Sequence, residues 1–156
     1  MWESRAIITY LANKHQTEES FKLYPVDPKQ RALVDRILQF DIGTLMKSIS
    51  EYVRPLFFGD GNINEEAKVK VQDAIKILDY FLDGHKYIAG DQLTLADFAV
   101  LNSLSMLEII DYDIALWKNV KQWYEQLKNE LPYYDEVTRD AINNTKIYIQ
   151  LKKQNK

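Results

Sequence analysis

Apolar residues recur along this chain at helical spacing in a succession of stretches separated by polar breaks. From Trp2 to Asn13, Ala6, Ile7, Tyr10 and Leu11 fall on one helical face, and Ser4 stands where a side chain can accept from the free N–H groups of a helix start. The polar stretch from Lys14 to Pro28 keeps no period and ends in Tyr-Pro-Val-Asp-Pro, whose prolines disfavour helix just before them, so a linker is expected there. Asp27 then offers an N-cap with Pro28 at the first helical position. Leu33, Ile37, Phe40, Leu45, Ile49 and Val53 carry one long helix, which stops or bends near Pro55. Turn residues Gly59, Asp60, Gly61 and Asn62 follow. Asn64, Glu65 and Glu66 open a further helix with Val71, Ala74, Ile75, Leu78, Phe81 and Leu82 on its apolar face, ended at Gly84.

The segment from Leu93 to Phe98 carries two local signals for one helix start. Thr94 is placed to cap the N–H of Asp97 while the Asp97 carboxylate reaches back to the Thr94 amide, an aspartate version of the capping box. Leu93 and Phe98 occupy the positions of a hydrophobic staple. Ala99, Leu101, Leu104, Leu107 and Ile110 wrap most of the helix that follows, as expected of a central helix surrounded by the others. Val120, Trp123, Tyr124, Leu127 and Leu131 mark an amphipathic helix ended by Pro132, and a last helix from about Glu136 carries Val137, Ala141, Ile142, Tyr148 and Ile149.

Composition supports an all-α reading. The 156 residues are enough for one well-cored domain, 46% are hydrophobic and 28% charged, and only 5 Gly and 4 Pro interrupt them. A net charge of -3 supplies no general attraction to nucleic acid or an acidic membrane face, and the basic tail after Lys146 reads as a helix end favoured by its dipole. The absence of Cys removes disulfides, thiolate metal sites and any cysteine nucleophile. His15 and His85 lie far apart with no ligand spacing, so no metal site is expected. No apolar run approaches the ~18 residues a membrane span needs, and a cytosolic location is expected. Trp2, Trp117 and Trp123 read as core or interface anchors.

Three segments in this order, WESRAIITYL, YIAGDQLTLADFAVL and NVKQWYEQLKNELPYY, resemble the cytosolic glutathione transferases, and FDIGTL from Phe40 to Leu45 resembles the insect delta and epsilon classes. The resemblance implies a glutathione transferase C-terminal-like helical bundle over residues 27–156, a linker over 15–26, and over 1–14 the last helix of a thioredoxin-like, glutathione-binding domain. It also implies conjugation of glutathione, a co-substrate with no further cofactor, to small hydrophobic electrophiles by a homodimeric detoxifying enzyme. The family's thiol-activating hydroxyl belongs to the thioredoxin-like domain, upstream of these residues. This chain alone is therefore expected to be inactive, a truncated form with no catalytic residue of its own. The competing expectation is a non-catalytic binding or scaffolding domain of the same shape.

By the same resemblance Glu3 and Ser4 hold the γ-glutamyl end of glutathione. The chemistry suits them, because Glu3 can pair with an ammonium and Ser4 offers a hydroxyl at a helix start to a carboxylate. Arg5 can complete the grip, or can pair with a carboxylate of the protein. From spacing alone, Glu-Ser-Arg opening a helix is an ordinary cap. Met46, Ile49, Val53, Arg54, Phe57 and Phe58 fall where the family lines its hydrophobic-substrate site, with Arg54 favouring an anionic group. Packing against a neighbouring helix accounts for the same residues equally well. Thr94 and Asp97 are assigned to capping, not catalysis.

Overall fold

A computed structural model describes residues 2–58 and 64–154. Helix α1 (Ser4–Lys14) is followed by α2 (Glu18–Leu23), α3 (Pro28–Phe40), α4 (Met46–Phe58), α5 (Glu65–Phe81), α6 (Leu95–Ile109), α7 (Lys118–Glu130) and α8 (Asp140–Gln154). Among the described residues there is no strand, only an isolated antiparallel bridge between Tyr87 and Gly90. The fold is all-α, and none of its described helices is long and apolar enough to cross a membrane.

Helix α6 is the centre, as its wrapped apolar pattern predicts. Ala96, Val100, Ser103 and Leu107 are all buried, and α1, α3, α4 and α8 pack around it. Its start is fixed by more than a local box. The Asp97 carboxylate has no solvent exposure. It accepts from the Thr94 N–H at 2.8 Å and the Thr94 hydroxyl at 3.0 Å, and also from the Ile88 N–H at 3.0 Å and the Trp123 indole N–H at 2.9 Å. One carboxylate thus ties the Tyr87–Gly90 turn and α7 to the start of α6.

The long helix is a composite. Asp27 caps α3 by accepting from the Gln30 N–H at 2.9 Å, with Pro28 at the first position. Between α3 and α4, Asp41–Leu45 form a π-helical segment in which the Met46 N–H donates to the Asp41 carbonyl. The five-residue step from Phe40 to Leu45 in the apolar pattern is the sequence trace of that wider turn. Pro55 neither stops nor ends the helix, which continues to Phe58 around it. The turn expected at Gly59–Asn62 lies outside the described residues. On α3 the buried residues are Val34, Ile37 and Leu38, whereas Leu33 is 37% exposed, so the core stripe is rotated from the expected one.

Two further differences concern the ends. The stretch expected to be a linker contains α2, opened by a capping box in which Thr17 and Ser20 bond reciprocally at 2.9 and 3.1 Å. Its signal was Thr17 followed by two acids and a serine in the third place, where the usual box has Glu or Gln. The last helix begins with a second π-helical segment, Asp135–Arg139, and buries only Ile142 of its expected apolar face, with Val137 and Tyr148 more than half exposed. Of the tryptophans, Trp123 is in the core, Trp117 packs against it, and Trp2 is exposed.

Candidate functional site

Helix α1 begins in an unusual way. Glu3, its N-cap, has φ 65° and ψ 100°, a left-handed backbone that non-glycine residues rarely adopt and that costs about 1–3 kcal/mol unless something holds it. No side chain caps this helix among the described residues, and its first turn holds no acid, so the N–H groups of Ser4, Arg5 and Ala6 keep their capacity for an anion. Ser4 is not the cap expected from spacing. It is the first helical residue, and its hydroxyl oxygen accepts from the Arg5 guanidinium at 2.7 Å.

Arg5 is held in turn by the bundle. Its Nε donates to Asp41 Oδ2 at 2.7 Å, a second guanidinium nitrogen bonds the same oxygen, and that nitrogen also donates to the Ser103 hydroxyl at 3.1 Å. Ser103 closes the triangle by donating to Asp41 Oδ1 at 2.6 Å. Burial pushes the Asp41 carboxyl above the usual carboxylate range, while the Ser103 hydroxyl and the Arg5 guanidinium pull the other way. The carboxylate that Arg5 meets is therefore one of the protein's own. Asp41 and Ser103 were not singled out in the sequence, where an aspartate inside an otherwise apolar helical face was the available signal.

The expected hydrophobic-substrate residues separate into groups. Ile49 and Val53 have 0% and 1% exposure and belong to the core, so packing is their role in this chain. Met46 is half-buried. Arg54 and Phe58 border a hollow on the α5 side with Glu51 and Lys70, and Lys152 of α8 lies over the Phe58 ring. Phe57 faces a different hollow, shared with Ile109 and Ile110 at the end of α6 and Ile149 of α8. Ser103 and Ile110 are seven residues apart on α6 and so share one face, about 10 Å apart along the helix, roughly the span of an extended tripeptide.

Residues 33–130 match the family described as glutathione S-transferase, C-terminal domain. Among solved structures, the chain is similar to a delta-class glutathione transferase of Nilaparvata lugens, with 39% identity over 97% of this chain and 70% of that one and a TM-score of 0.89. It is similar to the Bombyx mori glutathione transferase BmGSTD1, at 33% identity over 96% and 68% with a TM-score of 0.87. The Drosophila melanogaster isozyme E7 is also similar, at 33% identity over 96% and 68% with a TM-score of 0.85.

Proposed function

Because the chain belongs to the glutathione S-transferase family, we propose that it supplies the γ-glutamyl anchor and the electrophile wall of a transferase that conjugates glutathione to hydrophobic compounds. In this reading residues 1–14 are the last helix of a thioredoxin-like domain, 15–26 join it to the bundle, and 27–156 are the bundle. The thiol-activating hydroxyl is contributed by the rest of that domain, so residues 1–156 by themselves bind without turning over. Detoxification, a homodimeric assembly and a cytoplasmic location follow from the same reading.

The observation that carries the proposal is the strained Glu3 backbone leading directly into Ser4, whose hydroxyl is oriented by a buried ion pair. Strain of this kind persists where a ligand-binding geometry requires it. Glu3 takes the ligand ammonium, and the Ser4 hydroxyl with the first-turn N–H groups takes the α-carboxylate. Arg5 acts as a positioning residue, because its donors are committed to Asp41, Ser103 and Ser4. The electrophile lies towards Phe57, two turns along α6 from Ser103.

The test joins this chain to the thioredoxin-like domain of a delta-class relative and compares it with its Ser4→Ala variant. Loss of the hydroxyl should weaken glutathione binding about tenfold, the worth of one charge-assisted hydrogen bond, while bundle stability stays the same. Unchanged glutathione affinity removes Ser4 from the site.

A further inference from the structure

The hollow that Phe57 shares with α6 and α8 has a volume of about 290 Å³. Ile109, Ile110 and Ile149 give it apolar walls, and its two charged members are Asp111 and Lys146. Lys146 Nζ stands 2.6 Å from Asp111 Oδ1. The partners are unequally held, since the Asp111 side chain is 83% exposed and that of Lys146 31%. A carboxylate so exposed gains little from such a pair and exchanges readily for another anion, whereas the covered lysine stem stays beside the apolar wall.

Asp111 does not depend on that pair for its position. It follows the last turn of α6 with φ 54°, and the Asp111 N–H donates to the Glu108 carbonyl at 3.2 Å while the Tyr112 N–H donates to the Leu107 carbonyl at 3.0 Å. This double closure is the usual left-handed helix ending, and it sets the backbone whether or not the carboxylate has a partner. The ion pair therefore reads as a charge held at an apolar hollow by a replaceable counter-ion.

We propose that this hollow receives the apolar body of a small organic anion and that Lys146 takes the ligand's carboxylate or sulfonate in place of Asp111. Lys146 is then a specificity-determining residue that selects anionic hydrophobic electrophiles over neutral ones of the same shape. The inference rests on the reading of Phe57 as a substrate-site residue and adds the chemical class that the site prefers. Charge complementarity carries it, because Lys146 is the cation lining this hollow among the described residues, and it stands beside apolar walls.

The experiment measures binding of two fluorescent probes to the 156-residue chain: anilinonaphthalene sulfonate, and phenylnaphthylamine, which has the same ring system without the charge. Lys146→Met should raise the sulfonate Kd about tenfold and change that of the neutral probe less than about twofold. Asp111→Asn removes the competing charge while keeping a residue that tolerates the left-handed backbone, and should tighten sulfonate binding about threefold. Lys152→Met, which removes the cation over the Phe58 ring on the other side of α4's end, should leave both probes unchanged. A sulfonate Kd that is indifferent to Lys146→Met, or that rises in Asp111→Asn, overturns the proposal. Phe57→Ala tests the underlying reading separately, since it should weaken the neutral probe as much as the charged one. Neutral-probe binding that is unaffected by Phe57→Ala sinks that reading whatever Lys146 does.

Discussion

Arg5 on α1 and Asp41 at the α3–α4 junction form an ion pair 36 residues apart in sequence, in which the carboxylate has no exposure and the guanidinium side chain keeps 13%. The π-helical segment matters to this pairing, because Asp41 is its first residue and its carboxylate also takes the Ser103 hydroxyl from the central helix. Helix α1 is therefore fastened to the bundle by charge, and the same guanidinium orients the Ser4 hydroxyl.

Removing the cation should be costly. Arg5→Ala leaves a buried carboxylate with only Ser103 as partner, and breaking a buried pair in this way typically costs about 3–5 kcal/mol. Arg5→Lys should recover less than half of that loss, since a lysine cannot place donors on Asp41, Ser103 and Ser4 together. Urea unfolding at neutral pH measures both. A loss under about 1 kcal/mol for Arg5→Ala contradicts the burial argument.

Asp97 tests the other buried carboxylate, which has four donors and no cation. Asn in its place turns one acceptor oxygen into a donor facing donors, and should cost about 3 kcal/mol at neutral pH. Burial raises the Asp97 carboxyl above its ordinary value, against the lowering effects of Ile88, Trp123 and Thr94. Urea unfolding of Asp97→Asn beside wild type measures the loss, and a loss under about 1 kcal/mol contradicts the four-donor account.

The contrast between these two aspartates shows what the sequence made legible. The local half of the Asp97 arrangement, its bond to the Thr94 amide three residues away, is written in the Leu93–Phe98 segment. Its bond to Trp123, 26 residues on, is not, because no local pattern encodes which helix packs alongside. The same limit explains Ile49 and Val53. Helical periodicity marks both as apolar, but whether an apolar face meets a neighbouring helix or a ligand is decided by tertiary packing, which buries both. Glu3 and Ser4 are candidates through a motif resemblance, and the left-handed backbone of Glu3 leaves no trace in residue identity. The charged pair at the Phe57 hollow joins residues 35 apart and could only emerge from the fold.

Pro55 provides a prediction of the opposite sign. Proline inside α4 removes one N–H from the helical ladder and presses its ring against the preceding turn. Pro55→Ala should stabilise the chain by about 1–2 kcal/mol, the restored hydrogen bond outweighing the smaller entropy gain of the unfolded chain. Denaturant unfolding checks this, and a destabilised variant means that the proline ring itself is needed for packing.

Asp111 separates backbone strain from charge. Its left-handed φ of 54° costs an ordinary side chain about 1 kcal/mol, which glycine escapes, while its exposed pair with Lys146 contributes at most about 1 kcal/mol. Asp111→Gly loses the pair and relieves the strain, so its stability should stay close to that of wild type. Asp111→Ala loses the pair and keeps the strain, and should be less stable than the glycine variant by about 1 kcal/mol. Thermal unfolding of the two variants side by side isolates the backbone contribution, because the ion pair is absent from both. Equal melting temperatures would mean that the end of α6 abandons the left-handed ending once the carboxylate is gone. Lys146 would then have been holding the turn and not merely borrowing its charge.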